Sequence, residues 1–527
     1  MKQSKYYLSL LILFFVGFTN SFADETTPLL SFDIKNYEAL IEDVETLATV
    51  ADEDASALEM QLAGMLGAEV FALIDKTAAW HIAVWMESMG QPPLVAIVLP
   101  IEDFEAFQTA VQTSMISALG IQFLDADDCV VLYGSSPGAP TVDGWAENVK
   151  SYAETLVLEP KETIELRFVL NDQIRELAIA SLTSMKSEVI SAFENPEPDT
   201  PELSYESMSE LMEGYFSVYE LLIRDLDQLE FTMSVSDTAL NNSLSLIPVE
   251  GSQSAVLLAS QDVNISDLST SARWDSDIAI LMGLSAFPDE LQPSFQKLME
   301  SIMPFYGLSK DAAAEWVSVT NMSLPFKGVY NLDFNEGFSY SGFYDILENP
   351  ASEVYEAWLS LCESFNMGDA SAGSIYSDVT IKRNDHKHDG HSVDLLELTI
   401  NPESPLMQLP EQEAIMGQMF KDGKLTYEMS LVDNRIYVAK GGGLERAMEE
   451  VSSTAPIEFS ENTRVAGSIN IISIIQMAQE LVGEDAEIDF STLDKTGTEL
   501  LFSVETSNAL TLRSAVPLKL IQSAQQF

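Results

Sequence analysis

Apolar and polar residues alternate along several short segments of the chain, and a stretch with helical spacing follows each segment. In the clearest case, every second residue of Ile164–Leu170 is apolar, which predicts a strand with one buried face. Asn171 then occupies the position expected of a helix N-cap. Ile174 and Met185 fall on one stripe of the helix that follows. A second amphipathic helix and a hairpin that ends near Pro248 complete this unit.

The same order of strand, helix and hairpin is predicted at three further places, which begin at Leu30–Ile34, Ile278–Leu284 and Ser468–Asn470. Strands joined by tight turns pair antiparallel, and a helix with one apolar stripe packs against a sheet. The pattern therefore predicts an α+β fold of mostly antiparallel, curved sheets covered by amphipathic helices. The repeated strand–helix–hairpin units are expected in two related halves, residues 24–262 and 275–527.

The N-terminal residues have the three-part pattern of a secretory signal peptide. Lys2 and Lys5 form a positive segment, Leu8–Phe18 is apolar, and small residues precede a cleavage point after Ala23. We therefore expect residues 1–23 to be removed and the protein to be periplasmic or secreted. No later apolar run approaches the roughly 20 residues that a membrane-spanning helix needs, so no transmembrane segment is expected after cleavage.

Composition narrows the class of protein. The chain has 83 Asp and Glu against 26 Lys and Arg, a net charge of −57, which excludes nucleic acid as a partner because phosphate binding needs clustered cations. An acidic protein of this kind stays soluble in a saline exterior. Only two cysteines occur, which excludes a scaffold built on disulfides. Cys129 and Cys362 are predicted to be free buried thiols, although export would permit their pairing.

Two short stretches, together with the signal peptide, carry a resemblance to a family. One is the strand-to-helix junction Val98–Phe107, and the other is the end of the C-terminal hairpin, Val516–Leu518. With these features the chain resembles uncharacterised exported α/β repeat proteins of planctomycete-type bacteria. The resemblance implies a layout of strands and helices over most of the chain, and it implies no known activity.

One segment concentrates unusual side chains. Asp385–His391 contains three of the four histidines, and Asp389–Gly390 is a strong signal for a two-residue hairpin turn. In that register His388 lies opposite His391, and His386 lies one pair further out on the same face. Converging imidazoles bind Zn²⁺ or Cu²⁺, so these three histidines form the candidate metal site. The default interpretation of the segment is nevertheless an exposed polar turn, and no other cofactor is expected.

Other motifs favour structural roles. Gly134–Gly138 matches the nucleophile elbow of hydrolases, but Pro137 lacks the backbone N–H that an oxyanion hole would use, so a turn is predicted. Lys440–Gly443 joins a strand to a helix without the spacing of a phosphate-binding loop, and its glycines are interpreted as easing a bend. His81 lies in a strand that is apolar on both faces and is predicted to be a core histidine.

These observations favour an exported, non-enzymatic binding protein or structural component of the cell envelope. No catalytic residue is predicted. A first alternative is a carrier that holds a lipophilic ligand in a groove lined by methionines, since methionine suits adaptable apolar surfaces. Of the 21 methionines, nine fall on predicted helical stripes: Met60, Met65, Met185, Met208, Met212, Met299, Met303, Met416 and Met419. A second alternative is a hydrolase that uses carboxylates without a recognisable motif.

Overall fold

The chain divides into two compact units in a computed structural model. The first unit is Met1–Ala180 with Leu226–Ile247, and the second is Ser181–Asp225 with Pro248–Phe527. The boundary expected between the two halves, residues 263–274, falls in the second unit. The structure describes residues 28–51, 60, 62–64, 66–85, 93–114, 121–126, 128–135, 145–156, 160–194, 205–302, 310–334, 338–364, 376–402, 423–440, 443–449, 456, 459–482 and 493–524.

The first unit contains a sheet in which neighbouring strands pair antiparallel. Its strands are β1 (Leu30–Ile34), β2 (Trp80–Trp85), β3 (Leu94–Pro100), β4 (Gln122–Ala126), β5 (Cys129–Ser135), β6 (Ile164–Val169), β7 (Leu226–Val235) and β8 (Ala239–Pro248). The helices that begin in this unit are α1 (Tyr37–Val50), α2 (Ala68–Phe71), α3 (Phe104–Thr113), α4 (Trp145–Thr155) and α5 (Asp172–Glu194). Strand pairing gives the order β4-β5-β3-β2-β1-β6-β7.

Side-chain caps begin three helices of the first unit, α1, α3 and α5, and the cap of α5 at Asn171 is where the sequence predicts it. The Asn36 side chain accepts a hydrogen bond from the Ala39 N–H at 2.7 Å at the start of α1. Asn171 accepts in the same way from the Ile174 N–H at 3.0 Å at the start of α5. Asp103 caps α3 within the predicted strand-to-helix junction. Each cap satisfies a backbone donor that the first helical turn leaves without a partner.

Alternation along β2 places an apolar core on each face of this sheet. Trp80 packs with Phe107 of α3 on one face. Ala83 and Trp85 pack with Val149 of α4 on the other. Because successive residues of a strand point to opposite faces, β2 contributes large side chains to both cores.

The second unit also contains an antiparallel sheet. Its strands are β9 (Ile278–Leu284), β10 (Phe326–Asp333), β11 (Ser339–Ile346), β12 (Tyr376–His388), β13 (His391–Ile400), β14 (Lys424–Val432), β15 (Arg435–Lys440), β16 (Thr463–Asn470), β17 (Glu499–Thr506) and β18 (Leu510–Pro517). Their order is β18-β17-β16-β9-β10-β11-β15-β14-β13-β12. The helices here are α6 (Tyr205–Asp225), α7 (Gln253–Ser260), α8 (Gln292–Ile302), α9 (Lys310–Ser323), α10 (Ala351–Ser364), α11 (Leu444–Met448), α12 (Ile471–Val482) and α13 (Leu518–Ala524).

Helix α10 lies against one face of the second sheet. Val354 and Leu359 are fully buried there and pack with Met429 of β14 and Ile436 of β15. The opposite face carries a separate core that includes Leu281 of β9. Full burial of a leucine-sized side chain is worth about 1.5–3 kcal/mol, so this contact fixes α10 on the sheet.

The α+β class with antiparallel sheets is therefore confirmed. The turn predicted at Asp389–Gly390 joins paired strands, as do the turns at Asp433–Asn434 and Ser507–Asn508. Within the described part of the chain, no helix has the length and apolar character needed to cross a membrane.

Candidate functional site

A cavity of about 340 Å³ opens in the second unit between helix α10 and strands β12, β13 and β14. Its volume lies at the lower end of the range for small-molecule sites. Six of the seven lining residues carry polar side-chain groups, although polar and apolar atoms contribute equally to the exposed lining. The lining residues are Tyr355, Glu356, Arg383, Asn384, Ser392, Asp394 and Leu431.

The buried carboxylate of Asp394 organises one wall of this cavity. Asp394 is only 7% exposed. The Tyr355 hydroxyl donates to one of its oxygens at 2.9 Å, and the Asn384 backbone N–H donates to the other at 2.6 Å. The Arg383 guanidinium lies 3.8 Å from the same oxygen that Tyr355 contacts. A buried carboxylate needs such donors because its desolvation is costly.

The Asn384 N–H reaches Asp394 because strand β12 bulges at this point. Lys382 pairs with Leu395 and His386 pairs with Val393, so three residues of β12 lie opposite Asp394 alone. Asn384, in the middle of the bulge, has a φ of 50°, and asparagine tolerates this left-handed region better than most residues. Bulges of this kind change the direction of side chains and are frequent beside binding sites.

Arg383 is surrounded by carboxylates. Its Nη1 lies 3.1 Å from Glu356 and its Nε lies 3.7 Å from Glu363, in addition to the contact with Asp394. The Arg383 side chain is 32% exposed and that of Glu356 is 65% exposed, so solutes can reach both charges. The wall therefore offers a cationic fork and an anionic acceptor side by side.

The hydroxyl of Tyr355 acts as a donor at this site. Burial raises the pKa of Tyr355 well above its ordinary value of 10, and the hydrogen bond to Asp394 raises it further. The phenol therefore remains neutral in ordinary buffers. It continues to donate to Asp394 rather than to compete with it for donors.

The three histidines of the candidate metal site lie at the tip of the β12–β13 hairpin. His388 pairs with His391, and His386 lies two residues before His388, in the register that the turn predicts. The His386 ring contacts Asp385 at 3.2 Å and lies 3.8 Å from Glu428. Among the described residues, no group of three or more potential ligands is placed to hold a metal ion. The metal site stays a prediction.

A second set of buried polar residues lies in the first unit, on β1 and β2. The His81 Nδ1 lies 2.8 Å from an Asp33 carboxylate oxygen, and the two residues are 7% and 3% exposed. They pair in register on the face of β2 that also carries Trp85. His81 is thus a core histidine with a partner, as predicted. Tyr152 of α4 lies near Asp33. Burial raises the pKa of Tyr152, and the charge of Asp33 raises it further.

Both cysteines are free thiols. Cys129 begins β5, and its Sγ donates to the Ala126 carbonyl at 3.2 Å. Cys362 lies in α10, where burial raises the pKa of its thiol to about 11. Of the nucleophile-elbow motif, Gly134 and Ser135 end strand β5, and the remaining residues lie outside the described part of the chain.

Sequence reasoning missed the cavity residues. One signal was present, because Asp394 interrupts the apolar run of β13 between Val393 and Leu395. An acid inside an apolar strand needs donors from elsewhere in the fold, so its position marks a buried polar site. The donors are Tyr355 of α10 and the Asn384 N–H in the bulge of β12. The sequence around these two residues has no pattern that predicts their contact with Asp394.

Comparison of the chain with models of protein families, with characterised proteins and with solved structures gives no match.

Proposed function

We propose that this protein is an exported, non-enzymatic binding protein that holds a small polar molecule in the cavity beside Asp394. One observation carries the proposal, namely that a cavity of about 340 Å³ is lined by oriented polar groups next to a strand bulge. The class of ligand follows from the lining. A molecule with both an acidic and a basic or hydroxyl group could contact Arg383 and Glu356 together.

Arg383 and Glu356 are suited to ligand recognition because both are accessible to solvent, whereas Asp394 is buried. Asp394 uses its oxygens to hold Tyr355 and Asn384. Glu356 and Arg383 contact each other at the cavity and remain accessible to solvent. A ligand can replace this exposed ion pair at small cost, since exposed pairs contribute only about 0–1 kcal/mol.

The test is to identify small molecules that co-purify with the mature protein by mass spectrometry, and to repeat the measurement with a Glu356→Gln and Arg383→Gln double variant. We expect a compound that is present with the native chain and absent from the double variant. Glu348→Gln is the matched control, because Glu348 is an exposed carboxylate outside the cavity lining. Thermal unfolding with panels of amino acids, amines and sugars covers ligands that are lost during purification. The same compounds and shifts in all three proteins would contradict a site at this cavity.

Export is part of the proposal and has its own support. The positive segment, the apolar stretch and the small residue at Ala23 form the pattern of a cleaved signal. N-terminal sequencing of the protein from its native compartment is expected to begin at Asp24. The resemblance to exported α/β proteins of planctomycete-type bacteria agrees with this destination.

The lipophilic carrier receives less support. Two of the nine methionines proposed to line a groove, Met60 and Met185, have side chains that are 67% and 55% exposed. Met65, Met303, Met416 and Met419 lie outside the described residues. Six of the seven residues that line the cavity beside Asp394 carry polar groups, among them the charged Arg383 and Glu356, which does not suit a wholly apolar ligand.

A hydrolase would need two carboxylates that face a substrate across a cleft. Glu356 and Asp394 both line the cavity, yet the Arg383 guanidinium contacts both of them. In a glycosidase the two carboxyl groups act on the scissile bond directly, so two acids that share one cation fit this role poorly. The binding function is therefore the better supported of the two.

We also propose that the four strand–helix–hairpin units are related copies within two halves. The support is the shared order of elements, as in β6, α5, α6 and the strands β7 and β8, which are joined by a turn at Ser236. A comparison of the backbones of the four units is the direct test.

A further inference from the structure

The charged groups at the cavity beside Asp394 do not balance. Three carboxylates lie around the Arg383 guanidinium, those of Glu356 at 3.1 Å, Glu363 at 3.7 Å and Asp394 at 3.8 Å. Within the described part of the chain, no other lysine, arginine or histidine lies within salt-bridge distance of any of these three acids. One positive charge against three negative charges leaves an excess of negative charge at this wall.

Helix α10 directs two of the three carboxylates toward Arg383. Glu356 and Glu363 are two helical turns apart, so their side chains lie on the same face of α10. Both side chains are exposed, and a carboxylate can accept several hydrogen bonds, so each can contact a ligand as well as Arg383. Asp394 is buried and already binds Tyr355 and Asn384. The two glutamates are therefore the accessible anionic groups.

Arg383 has donors that remain available to an anion. A guanidinium group carries five N–H donors. Among the described residues, its one hydrogen bond runs from Nη1 to a Glu356 oxygen at 3.2 Å. The side chain is partly exposed, so its other donors can bind a ligand carboxylate in the paired geometry that the two planar groups favour.

We propose that the cavity binds basic amino acids, with the ligand carboxylate on Arg383 and its two cationic groups beside Glu356 and Glu363. This assignment rests on the proposed function and adds the charge of the ligand. An acidic amino acid would increase the negative excess, a neutral one would leave it unchanged, and a basic one reduces it. The cavity of about 340 Å³ has room for roughly eleven water molecules at liquid density, which is enough for a molecule of this size.

A diamine would reduce the negative excess further, but it has no group for the free donors of Arg383. A charge-assisted pair between guanidinium and carboxylate is stronger than the interaction of one more cation with an exposed acid. A basic amino acid is therefore expected to bind more tightly than the corresponding diamine.

The experiment is calorimetric titration of the full mature protein with lysine, norleucine, 2-aminoadipate and cadaverine at low ionic strength. Norleucine lacks the terminal ammonium of lysine, 2-aminoadipate has a carboxylate there, and cadaverine lacks the α-carboxylate. We expect lysine to bind at least about threefold more tightly than norleucine or cadaverine, and 2-aminoadipate to bind most weakly. High salt should reduce the difference between lysine and norleucine, because it screens exposed charges.

A Glu363→Gln variant separates the effect of charge from that of shape. Glu363 is exposed and does not line the cavity, so the substitution should leave the fold and the cavity intact. We expect the variant to bind lysine about threefold more weakly and norleucine as the native protein does. Glu348→Gln is the control and should change neither affinity.

Binding of norleucine, 2-aminoadipate or cadaverine as tightly as lysine would overturn the assignment. So would an unchanged preference for lysine in the Glu363→Gln variant. If none of the four ligands binds, but another compound is retained by the native protein and lost from the Glu356→Gln and Arg383→Gln double variant, the assignment fails and the proposed function stands. If no compound of any class binds, both fail.

Discussion

Two buried aspartates, one in each unit, have similar exposure and different surroundings. Asp33 is paired with the His81 ring, and Tyr152 of α4 lies close to that pair. Asp394 binds a tyrosine hydroxyl and a backbone N–H, and it also lines a cavity of about 340 Å³. Both carboxylates have the donors that burial requires, and the second also adjoins a cavity.

The comparison separates two reasons for burying a charge. A carboxylate whose partners fill its surroundings adds specificity to the core, and it leaves no place for a ligand. Asp394 instead binds the bulge of β12 beside a cavity. Arg383 and Glu356 are thereby positioned at an accessible wall of that cavity. The following predictions run from the largest expected effect to the smallest.

Substitution of His81 by leucine is expected to cost about 3–5 kcal/mol of unfolding free energy, because it leaves the Asp33 carboxylate buried without its partner. Urea denaturation of the variant measures the loss. The double variant His81→Leu with Asp33→Leu removes both polar groups and should recover most of the stability. A double variant as unstable as the single one would show that Asp33 and His81 stabilise the fold through interactions other than the hydrogen bond between them.

Substitution of Asp394 by alanine is expected to cost about 2–4 kcal/mol, since Tyr355 and the Asn384 N–H both lose their acceptor. The loss should be smaller than that for His81→Leu because water in the cavity can accept from both donors. Asp378→Ala, at an exposed position of the neighbouring strand β12, is the control and should change stability little. A larger loss for Asp394 than for His81 would contradict the distinction between the two sites.

Substitution of Tyr355 by phenylalanine removes a single hydrogen bond to Asp394 and is expected to cost about 1.5 kcal/mol. Since Asn384 and Arg383 still contact the carboxylate, ligand binding at the cavity should survive with reduced affinity. Urea denaturation and ligand titration of the same preparation give both quantities. Loss of all binding at unchanged stability would indicate that the hydroxyl contacts the ligand directly.

Substitution of His388 by alanine is expected to change stability by less than about 0.5 kcal/mol, because the hairpin tip is largely exposed. Calorimetric titration with Zn²⁺ tests the metal prediction at the same time. A site formed by His386, His388 and His391 requires weaker binding in the variant than in the native chain. Equal affinities, or no heat in either protein, would end the metal prediction.

The local features of the fold could be predicted because each depends on residues that are close in sequence. The Asn36 and Asn171 side chains cap helices through donors three residues ahead. The Asp389–Gly390 turn fixes the pairing of the strands that flank it. These interactions need no knowledge of the distant chain, so spacing alone is sufficient.

The site could not be predicted because it depends on a change of register between strands. Uniform pairing from the turn would place Lys382 opposite Glu397, whereas the bulge places it opposite Leu395. The shift of two residues keeps every side chain on its original face, so the alternating pattern of β12 does not reveal it. The partner of Asp394 from α10 is 39 residues away in sequence.

The bulge of β12 also affects whether a strand of another molecule could pair with this edge of the sheet. Within the described residues β12 pairs with β13 alone, at the margin of the second sheet. A long, flat margin would template the addition of a strand from another molecule and lead to aggregation. The left-handed turn at Asn384 breaks that flatness, and the charges of Lys382 and Arg383 discourage apposition. We therefore expect the distortion that shapes the cavity to disfavour strand addition at this margin as well.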